Sequence, residues 1–265
     1  MAWLEDQYRQ TQSRSSMFIS IPTRGFISNN SLGALLGLRI PGTYGMPTYS
    51  IETGQAIDVS RNIAVSKCLQ MNSRYMLFID SDMTFAPDTL ERLLGYRVPV
   101  ASVAYRSRGP PYHLVSNVNN KPVDDNVLKD KNIDLMQVDN VGMGFCLIDT
   151  RILKSLAYRL NEFRCFLDHT KEIKKDVAIY TAQQAIDQNF KCSICQKLLV
   201  ARYFWSRAAM ANKDAISEDY WFCKLCKDNN IPIHLATKVF ANHESAITLG
   251  VDGPESNLRS IGDVS

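Results

Sequence analysis

YMLFIDSDMTFAP, residues 75–87, is a short apolar run that ends abruptly in two aspartates, Asp80 and Asp82. Continuous apolarity over residues 75–79 is typical of a strand buried on both faces, so the chain is predicted to reach the carboxyl edge of a parallel sheet at Asp80. Ligands of α/β proteins bind at that edge. Two carboxylates placed there can share one divalent cation through oxygen, and the cation can bind a diphosphate. The alternative is a solvated turn, in which strand-ending aspartates are common.

The segments around this stretch have alternating helical and strand patterns. Residues 55–71 carry apolar side chains at helical spacing, and Pro87 suits the first turn of a second helix. Residues 17–21 and 98–104 are apolar runs of strand length. The order strand, helix, strand, helix, strand predicts an α/β fold with a parallel, Rossmann-like core.

Composition limits the class of protein. The chain has 265 residues, of which 45% are hydrophobic, enough for one large α/β domain or two small ones. Thirty basic and 27 acidic residues leave a formal charge of +3, too little to indicate a nucleic-acid or membrane partner. The sequence has neither an apolar run of bilayer-spanning length nor a signal-peptide core at its start, which predicts a cytoplasmic protein.

Two segments could contact a nucleotide. Pro22, Thr23 and Arg24 end the first predicted strand, where their backbone groups and the arginine could face a ligand; an ordinary strand-ending turn is the alternative. Arg61 lies on the predicted helix before the two aspartates and could reach a phosphate or a base. The alternative is a solvated arginine on an amphipathic helix.

The glycines of VDNVGMGFCLI, residues 138–148, form a further candidate. Gly142 and Gly144 come directly before an apolar run, where glycine allows a close approach of the backbone to a ligand. The same residues can also allow a bulge or a sharp bend.

Residues 161–215 differ in composition from the rest and are predicted to be an insertion in a single domain that spans residues 1–265. Ser217 then suits the N-cap of a helix whose first turn carries Glu218 and Asp219. Final strands are predicted over 231–236 and 238–241, and His243 follows them. Residues 245–265 are polar and are predicted to be a tail.

Several of these segments, in this order, resemble the GT-A fold glycosyltransferases, in particular the small soluble family 2-like enzymes of phages, viruses and prokaryotes. The matching segments are SIPTRG, SRN at residues 60–62, FIDSDM, VGMGF, and SEDYWFC with the closing histidine. The resemblance covers about residues 17–160 and 216–244. It implies a mixed, mainly parallel sheet flanked by helices. The insertion departs from the family pattern and leaves the acceptor open.

The resemblance also implies roles for individual residues. Asp80 and Asp82 would hold Mn2+ or Mg2+ on the diphosphate of a nucleotide sugar, and His243 is a candidate third ligand. Asp219, beside Glu218, would be the general base that activates a hydroxyl acceptor in an inverting transfer. The nucleotide-sugar site would include Pro22, Thr23, Arg24, Arg61, Asp80, Ser81, Asp82, Gly142 and Gly144.

Two other functions stay open at this point. A nucleotidyltransferase also uses paired carboxylates and a metal on a related sheet. A non-catalytic module could bind nucleic acid or protein through the basic and aromatic residues of the insertion. We expect a nucleotide-sugar donor, an acceptor hydroxyl on a glycan, a protein or a small molecule, and no nucleic-acid partner.

The seven cysteines of the chain indicate thiols or metal ligands rather than a disulfide framework. Cys192 and Cys195 form one CxxC pair, and Cys223 and Cys226 form another, so the four thiolates could hold a structural Zn2+. The long separation of the pairs is unusual for a zinc ribbon. Buried thiols without a metal are the default alternative.

Overall fold

The computed structural model describes residues 17–165, 179–204 and 217–244. The strands are β1 (Met17–Thr23), β2 (Thr48–Thr53), β3 (Tyr75–Ile79), β4 (Met83–Phe85), β5 (Val100–Ala104), β6 (Ser116–Val118), β7 (Lys121–Pro122), β8 (Leu135–Val138), β9 (Asn140–Val141), β10 (Phe145–Asp149), β11 (Phe163–Cys165), β12 (Ile179–Tyr180), β13 (Leu199–Val200) and β14 (Ile233–His243). The helices are α1 (Asn29–Gly37), α2 (Ile57–Gln70), α3 (Thr89–Tyr96), α4 (Asn126–Lys129), α5 (Thr150–Leu160), α6 (Ala182–Asp187) and α7 (Glu218–Asp228), and Gly42–Tyr44 form a 3-10 turn.

An eight-stranded sheet forms the centre of the fold, in the order β2-β1-β3-β10-β5-β14-β4, with β8 also paired to β14. β1, β2, β3, β5 and β14 run in one direction, whereas β4, β8 and β10 run in the other. The predicted mixed α/β fold with a mainly parallel sheet is therefore confirmed. Its architecture is consistent with the Rossmann-like GT-A fold.

Strand β3 shows why both faces of the sheet are covered. Successive side chains of a strand point to opposite faces. Met76 and Phe78 pack in the cluster that includes α2, α5 and α7, whereas Leu77 and Ile79 pack in the cluster that includes α3. The continuous apolar run thus serves two cores, as the sequence predicted.

Helix α2 is buried to an extent that an amphipathic pattern does not predict. Residues 60–66 are all buried, because α2 lies between the sheet and the insertion. The side-chain amide of Asn62 donates to the carbonyl of Phe204 at 2.7 Å and accepts from the Phe204 N–H at 2.8 Å. Arg61 is 1% exposed, so the alternative of a solvated arginine is wrong.

Two predicted strand boundaries are wrong. β1 continues to Thr23 instead of ending before Pro22. Pairing with β3 ends at Ser20, so Pro22 faces only β2, at Glu52, and its lack of an N–H is tolerated. At the other end of the chain, the two predicted final strands form the single strand β14, with a bulge between Ala236 and Phe240.

The described part of the insertion, residues 161–165 and 179–204, contains a small sheet in the order β12-β11-β13 and the helix α6. Its buried aromatic residues belong to the same apolar cluster as α2 and α7. The remainder of the predicted insertion and the predicted tail, 245–265, lie outside the described residues. Within the described ranges, no helix has the length and apolarity needed to cross a bilayer.

Candidate functional site

Four segments meet at one edge of the central sheet. β3, β5 and β14 run in the same direction, so their carboxyl ends bring Asp80, Tyr105 and His243 to that edge. β10 runs in the opposite direction between β3 and β5, so the residues that precede it, including Gly144, lie at the same edge. The N–H of Asp80 donates to the carbonyl of Gly144 at 2.9 Å. Sheet topology thus assembles residues that are far apart in sequence.

Three predicted metal ligands come together here. One ligand atom from each of Asp80, Asp82 and His243 can be chosen so that all three lie within 4.8 Å of one another. Asp80 and Asp82 are each 19% exposed, and His243 is 7% exposed at the base of the site. Two carboxylates and an imidazole suit manganese or magnesium, with the imidazole favouring the softer manganese.

His243 has its ring orientation determined by the backbone. Its Nδ1 lies 2.8 Å from the carbonyl oxygen of Arg106. A carbonyl only accepts, so Nδ1 carries the proton and Nε2 keeps the lone pair that a metal needs. Burial lowers the pKa of His243 and favours the neutral ring that a metal ligand requires.

The two carboxylate oxygens of Asp82 differ in their contacts. Oδ2 forms an ion pair with Arg108, whose side chain is 58% exposed. Oδ1 is buried and has no hydrogen-bond partner within the described part of the chain. A buried carboxylate oxygen without a donor is costly, and a bound cation would satisfy it. The residues present therefore fit a divalent cation.

Arg61 lies beneath the site and links the metal half to the predicted base. Its Nη2 lies 3.0 Å from Asp80 Oδ1, and its Nη1 lies 2.6 Å from Glu218 Oε1 and also contacts Asp219 Oδ1. Burial disfavours its charge, but Asp219, Asp80 and Glu218 together raise the pKa of Arg61 above its usual value. One buried cation thus holds three carboxylates, two of them from the start of α7.

Asp219 is oriented from both sides. One carboxylate oxygen contacts Arg61, and the other accepts the N–H of Met143 at 3.1 Å. Burial raises the pKa of Asp219 to about 7; Arg61 opposes this shift, and Glu218 and Asp80 add to it. A carboxylate with a pKa near neutrality can take up a proton at neutral pH, which a carboxylate with an ordinary pKa does poorly.

Gly142 and Gly144 lie directly against the side chain of Tyr105 at this edge of the sheet. A Cβ on Gly142 would overlap the Tyr105 hydroxyl, and one on Gly144 would lie 3.0 Å from it. The Gly144 N–H donates to that hydroxyl at 2.9 Å. The Tyr105 ring packs edge-on against His243, with centroids 5.0 Å apart. Close approach of Tyr105 is thus a structural reason for both glycines.

The remaining predicted nucleotide-sugar residues occupy different environments. Pro22 and Thr23 are buried within β1, and the Thr23 hydroxyl donates to the carbonyl of Phe26 at 2.5 Å. Arg24 is exposed beside this turn. The carbonyl of Ser81 accepts the N–H of Ser28 at 3.3 Å. Of these four residues, Arg24 is the exposed one.

The described structure does not bring the two CxxC motifs together in one metal-ligand group. Cys192 and Cys195 group with Cys165, and neither Cys223 nor Cys226 belongs to that group. Both of the latter lie on α7 with their side chains in the main core, because i and i+3 residues share the buried face of a helix. Cys223 contacts the backbone of Val141.

Sequence reasoning missed Tyr105 and Arg108 as parts of the site. Tyr105 follows β5 directly, so its position at a parallel strand end is a signal that could have identified it. Arg108 lies in the basic, proline-rich loop RSRGPPYH, but no residue spacing in that loop indicates a contact with Asp82. The backbone N–H of Met143 carries no sequence signal, since every residue except proline has one.

No protein-family profile and no curated protein matches the chain. Among solved structures, it is similar to A197 from STIV, with a TM-score of 0.48 and 16% identity over 94% of this chain and 99% of that one. It also matches a glycosyltransferase involved in glycosylation of the major capsid of PBCV-1, with a TM-score of 0.30 and 7% identity over 52% and 62% of the two chains. A putative glucose-1-phosphate thymidylyltransferase from Bacillus anthracis matches with a TM-score of 0.33 and 9% identity over 61% and 78%. At TM-scores below 0.5, none of these likenesses supports an argument about function.

Proposed function

We propose that this protein is a metal-dependent glycosyltransferase that transfers a sugar from a nucleotide-sugar donor to an acceptor hydroxyl with inversion. The observation that carries the proposal is the contact of one buried guanidinium, that of Arg61, with both Asp80 and Asp219. This contact supports the proposal because it holds a carboxylate that could bind a metal and a carboxylate that could act as a general base on the same side chain.

Asp80, Asp82 and His243 would hold the cation, Mn2+ or Mg2+. When bound, the cation would stabilise the negative charge of the leaving nucleoside diphosphate. Asp219 takes the proton of the acceptor hydroxyl while the oxygen forms its bond to the anomeric carbon. The bond between that carbon and the diphosphate oxygen breaks, and its electron pair leaves with the diphosphate.

The environment of Asp219 favours this reaction over the nucleotidyltransferase alternative. An acceptor hydroxyl is a weak nucleophile and needs a base, whereas a sugar phosphate that attacks a nucleotide is already an anion. A carboxylate with a pKa of about 7, held by Arg61 and the Met143 N–H, serves the first case. Glu218 shares the same arginine and is a positioning residue in this account.

The burial of aromatic side chains in the insertion argues against a non-catalytic binding module. Tyr203 and Phe204 are fully buried, so these two aromatics cannot stack on nucleic-acid bases. Phe204 instead stacks on Phe222 of α7, with ring centroids 4.8 Å apart. Trp205, the third aromatic residue of this cluster in the sequence, lies outside the described residues.

The test is titration of the purified protein with nucleoside diphosphates and nucleotide sugars, with and without Mn2+, followed by product analysis. We expect Mn2+-dependent binding that Asp82→Asn abolishes. Asp219→Asn retains binding but lowers kcat by about 10²–10⁴-fold, the range for loss of a general base. Asp228→Asn, at an exposed aspartate on the same helix, is the matched control and keeps both properties.

The products separate the two enzyme classes. Release of a nucleoside diphosphate supports the glycosyltransferase, whereas release of pyrophosphate from a nucleoside triphosphate assigns the site to nucleotidyl transfer. Unchanged turnover in Asp219→Asn would remove this residue from the mechanism. Salt-dependent oligonucleotide binding without affinity for any nucleotide sugar would favour the binding module.

A further inference from the structure

Three cysteine sulfurs meet in the insertion, in a group that shares no residue with the predicted metal site at the sheet edge. Cys165, Cys192 and Cys195 each place Sγ within 4.8 Å of the other two, and Sγ of Cys165 lies 3.4 Å from Sγ of Cys195. Thiolates about 2.3 Å from a tetrahedral zinc ion lie about 3.8 Å from one another. The distance between Cys165 and Cys195 is thus close to this spacing, and the other two distances are at most 4.8 Å, so a small adjustment would suit a zinc ion.

The local backbone presents two of these thiols on a tight turn. The N–H of Cys192 donates to the carbonyl of Lys197 at 2.8 Å, and the N–H of Gln196 donates to the carbonyl of Cys192 at 2.9 Å. Gln196 has a φ of 60°, which reverses the chain directly after Cys195. Cys192 and Cys195 thus project from one closed turn, a geometry suited to holding a metal between them.

The third thiol comes from a neighbouring strand. Cys165 ends β11 and is paired with Leu199 of β13, just after the turn that carries the other two cysteines. Strands β11, β12 and β13 contain only two or three residues each, too few to be stable by pairing alone. A metal that joins Cys165 to the turn would stabilise this small sheet.

The surroundings of the thiols suit zinc better than a disulfide. Cys192 is fully buried and lies 3.4 Å from the Tyr180 hydroxyl, which can donate to a metal-bound thiolate. All seven cysteines fall within the described ranges, and no disulfide joins any of them. A disulfide would use two sulfurs and leave the third beside it, whereas zinc uses all three.

We propose that Cys165, Cys192 and Cys195 bind one structural zinc ion that stabilises the insertion. Among the described residues, no fourth histidine, cysteine, aspartate or glutamate joins this group. This site differs from the pairing of two CxxC motifs, because Cys223 and Cys226 take no part in it. It is also independent of the proposed glycosyltransferase activity.

The test is the zinc content of the full-length protein, purified without chelator and measured by elemental analysis. We expect one zinc ion per chain in the wild type and in Cys226→Ser, whose sulfur lies in the main core. Cys195→Ser, at the partly exposed member of the group, is expected to lose the zinc and to melt at a lower temperature. Asp82→Asn keeps the zinc, which shows that the ion is not in the sheet-edge site.

A second measurement applies even if a variant fails to fold. Wild-type protein in which Co2+ replaces the zinc should show a near-ultraviolet charge-transfer band with the intensity of at least three thiolates. Zinc-free protein with seven reactive thiols after unfolding, or a Cys165–Cys195 disulfide found by mass spectrometry, would overturn the proposal. Loss of zinc from Cys226→Ser but not from Cys195→Ser would overturn it in favour of the paired CxxC motifs.

Discussion

The sheet edge and the insertion both gather metal-ligand side chains, but over very different distances along the chain. Arg61 contacts Glu218 from 157 residues away, whereas the sulfurs of Cys165 and Cys195 are 30 residues apart. The edge is assembled by strand order, because parallel strands place their carboxyl ends together. The insertion is assembled by one turn and short strands. Long-range topology therefore builds the first region, and local chain reversal builds the second.

The two regions also differ in how charge is held. At the edge, one buried arginine contacts three carboxylates and offsets part of their negative charge. In the insertion, three thiols lie together with a tyrosine hydroxyl beside one of them. The edge therefore contains part of its own counter-charge, whereas the proposed zinc would hold the small sheet of the insertion together.

Arg61→Ala is expected to cause the largest loss in the free energy of unfolding. Asp80, Glu218 and Asp219 would lose their common cation, and breaking a buried ion pair costs about 3–5 kcal/mol. Urea unfolding measures the loss in the free energy of unfolding. Arg74→Ala is the matched control, because the Arg74 side chain is 37% exposed and Asp149 keeps its pair with Arg151, so the cost should be about 1 kcal/mol or less. Equal losses in the two variants would contradict the central role of Arg61.

Gly142→Ala should destabilise the protein less than Arg61→Ala does. The new methyl group would lie 2.8 Å from Val115 Cγ1 and would overlap the Tyr105 hydroxyl, so overpacking should cost about 1–3 kcal/mol. Thermal or urea unfolding provides the measurement. At Gly33 in α1 a Cβ meets nothing within 4 Å, so Gly33→Ala should be neutral or stabilising. An unaffected Gly142→Ala variant would show that Tyr105 can move away freely.

Asn62→Ala should weaken the contact between α2 and the insertion. Its amide forms both hydrogen bonds to the backbone of Phe204, and leaving these buried groups without partners should cost about 1–3 kcal/mol. Limited proteolysis should then cut the insertion faster while the sheet stays protected. The exposed Asn132→Ala is the control. Unchanged proteolysis would mean that other contacts hold the insertion on α2.

The pH dependence of turnover should report the protonation of Asp219. Asp219 must be deprotonated to accept a proton, and its pKa is raised to about 7. This pKa belongs to the protein without substrate, so kcat/KM should fall about tenfold per pH unit below pH 7 and level off above it. The residual rate of Asp219→Asn should lack this step. The same profile in both proteins would assign the titration to another group.

Much of the sheet could be predicted from the sequence, because its strands are continuous apolar runs. β3 has the predicted bounds, and Asp80 lies at the predicted edge. The antiparallel β10 between β3 and β5 was not predicted from the residues, since a strand's direction depends on its connections and not on its composition. The burial of Arg61 was missed because its partners on α7 lie far along the chain.

The cysteines show the limit of motif spacing. Two CxxC pairs suggested one four-cysteine site, yet the second pair is on the core face of a helix. The structure instead groups the first pair with Cys165, which lies in no recognisable motif. A short motif indicates which residues can bind a metal, but chain folding decides which of them meet.

The amino-acid sequence alone determined the apolar strands, the two aspartates at a strand end, and the acidic first turn of α7, because these depend on local periodicity and capping. Only the tertiary structure decided that Arg61 would join Asp80 to Asp219, that Tyr105 would lie across the two glycines, and that Cys165 would complete the cysteine group. These contacts depend on strand order and packing between distant segments, which the free energy of the whole fold selects and no single segment encodes.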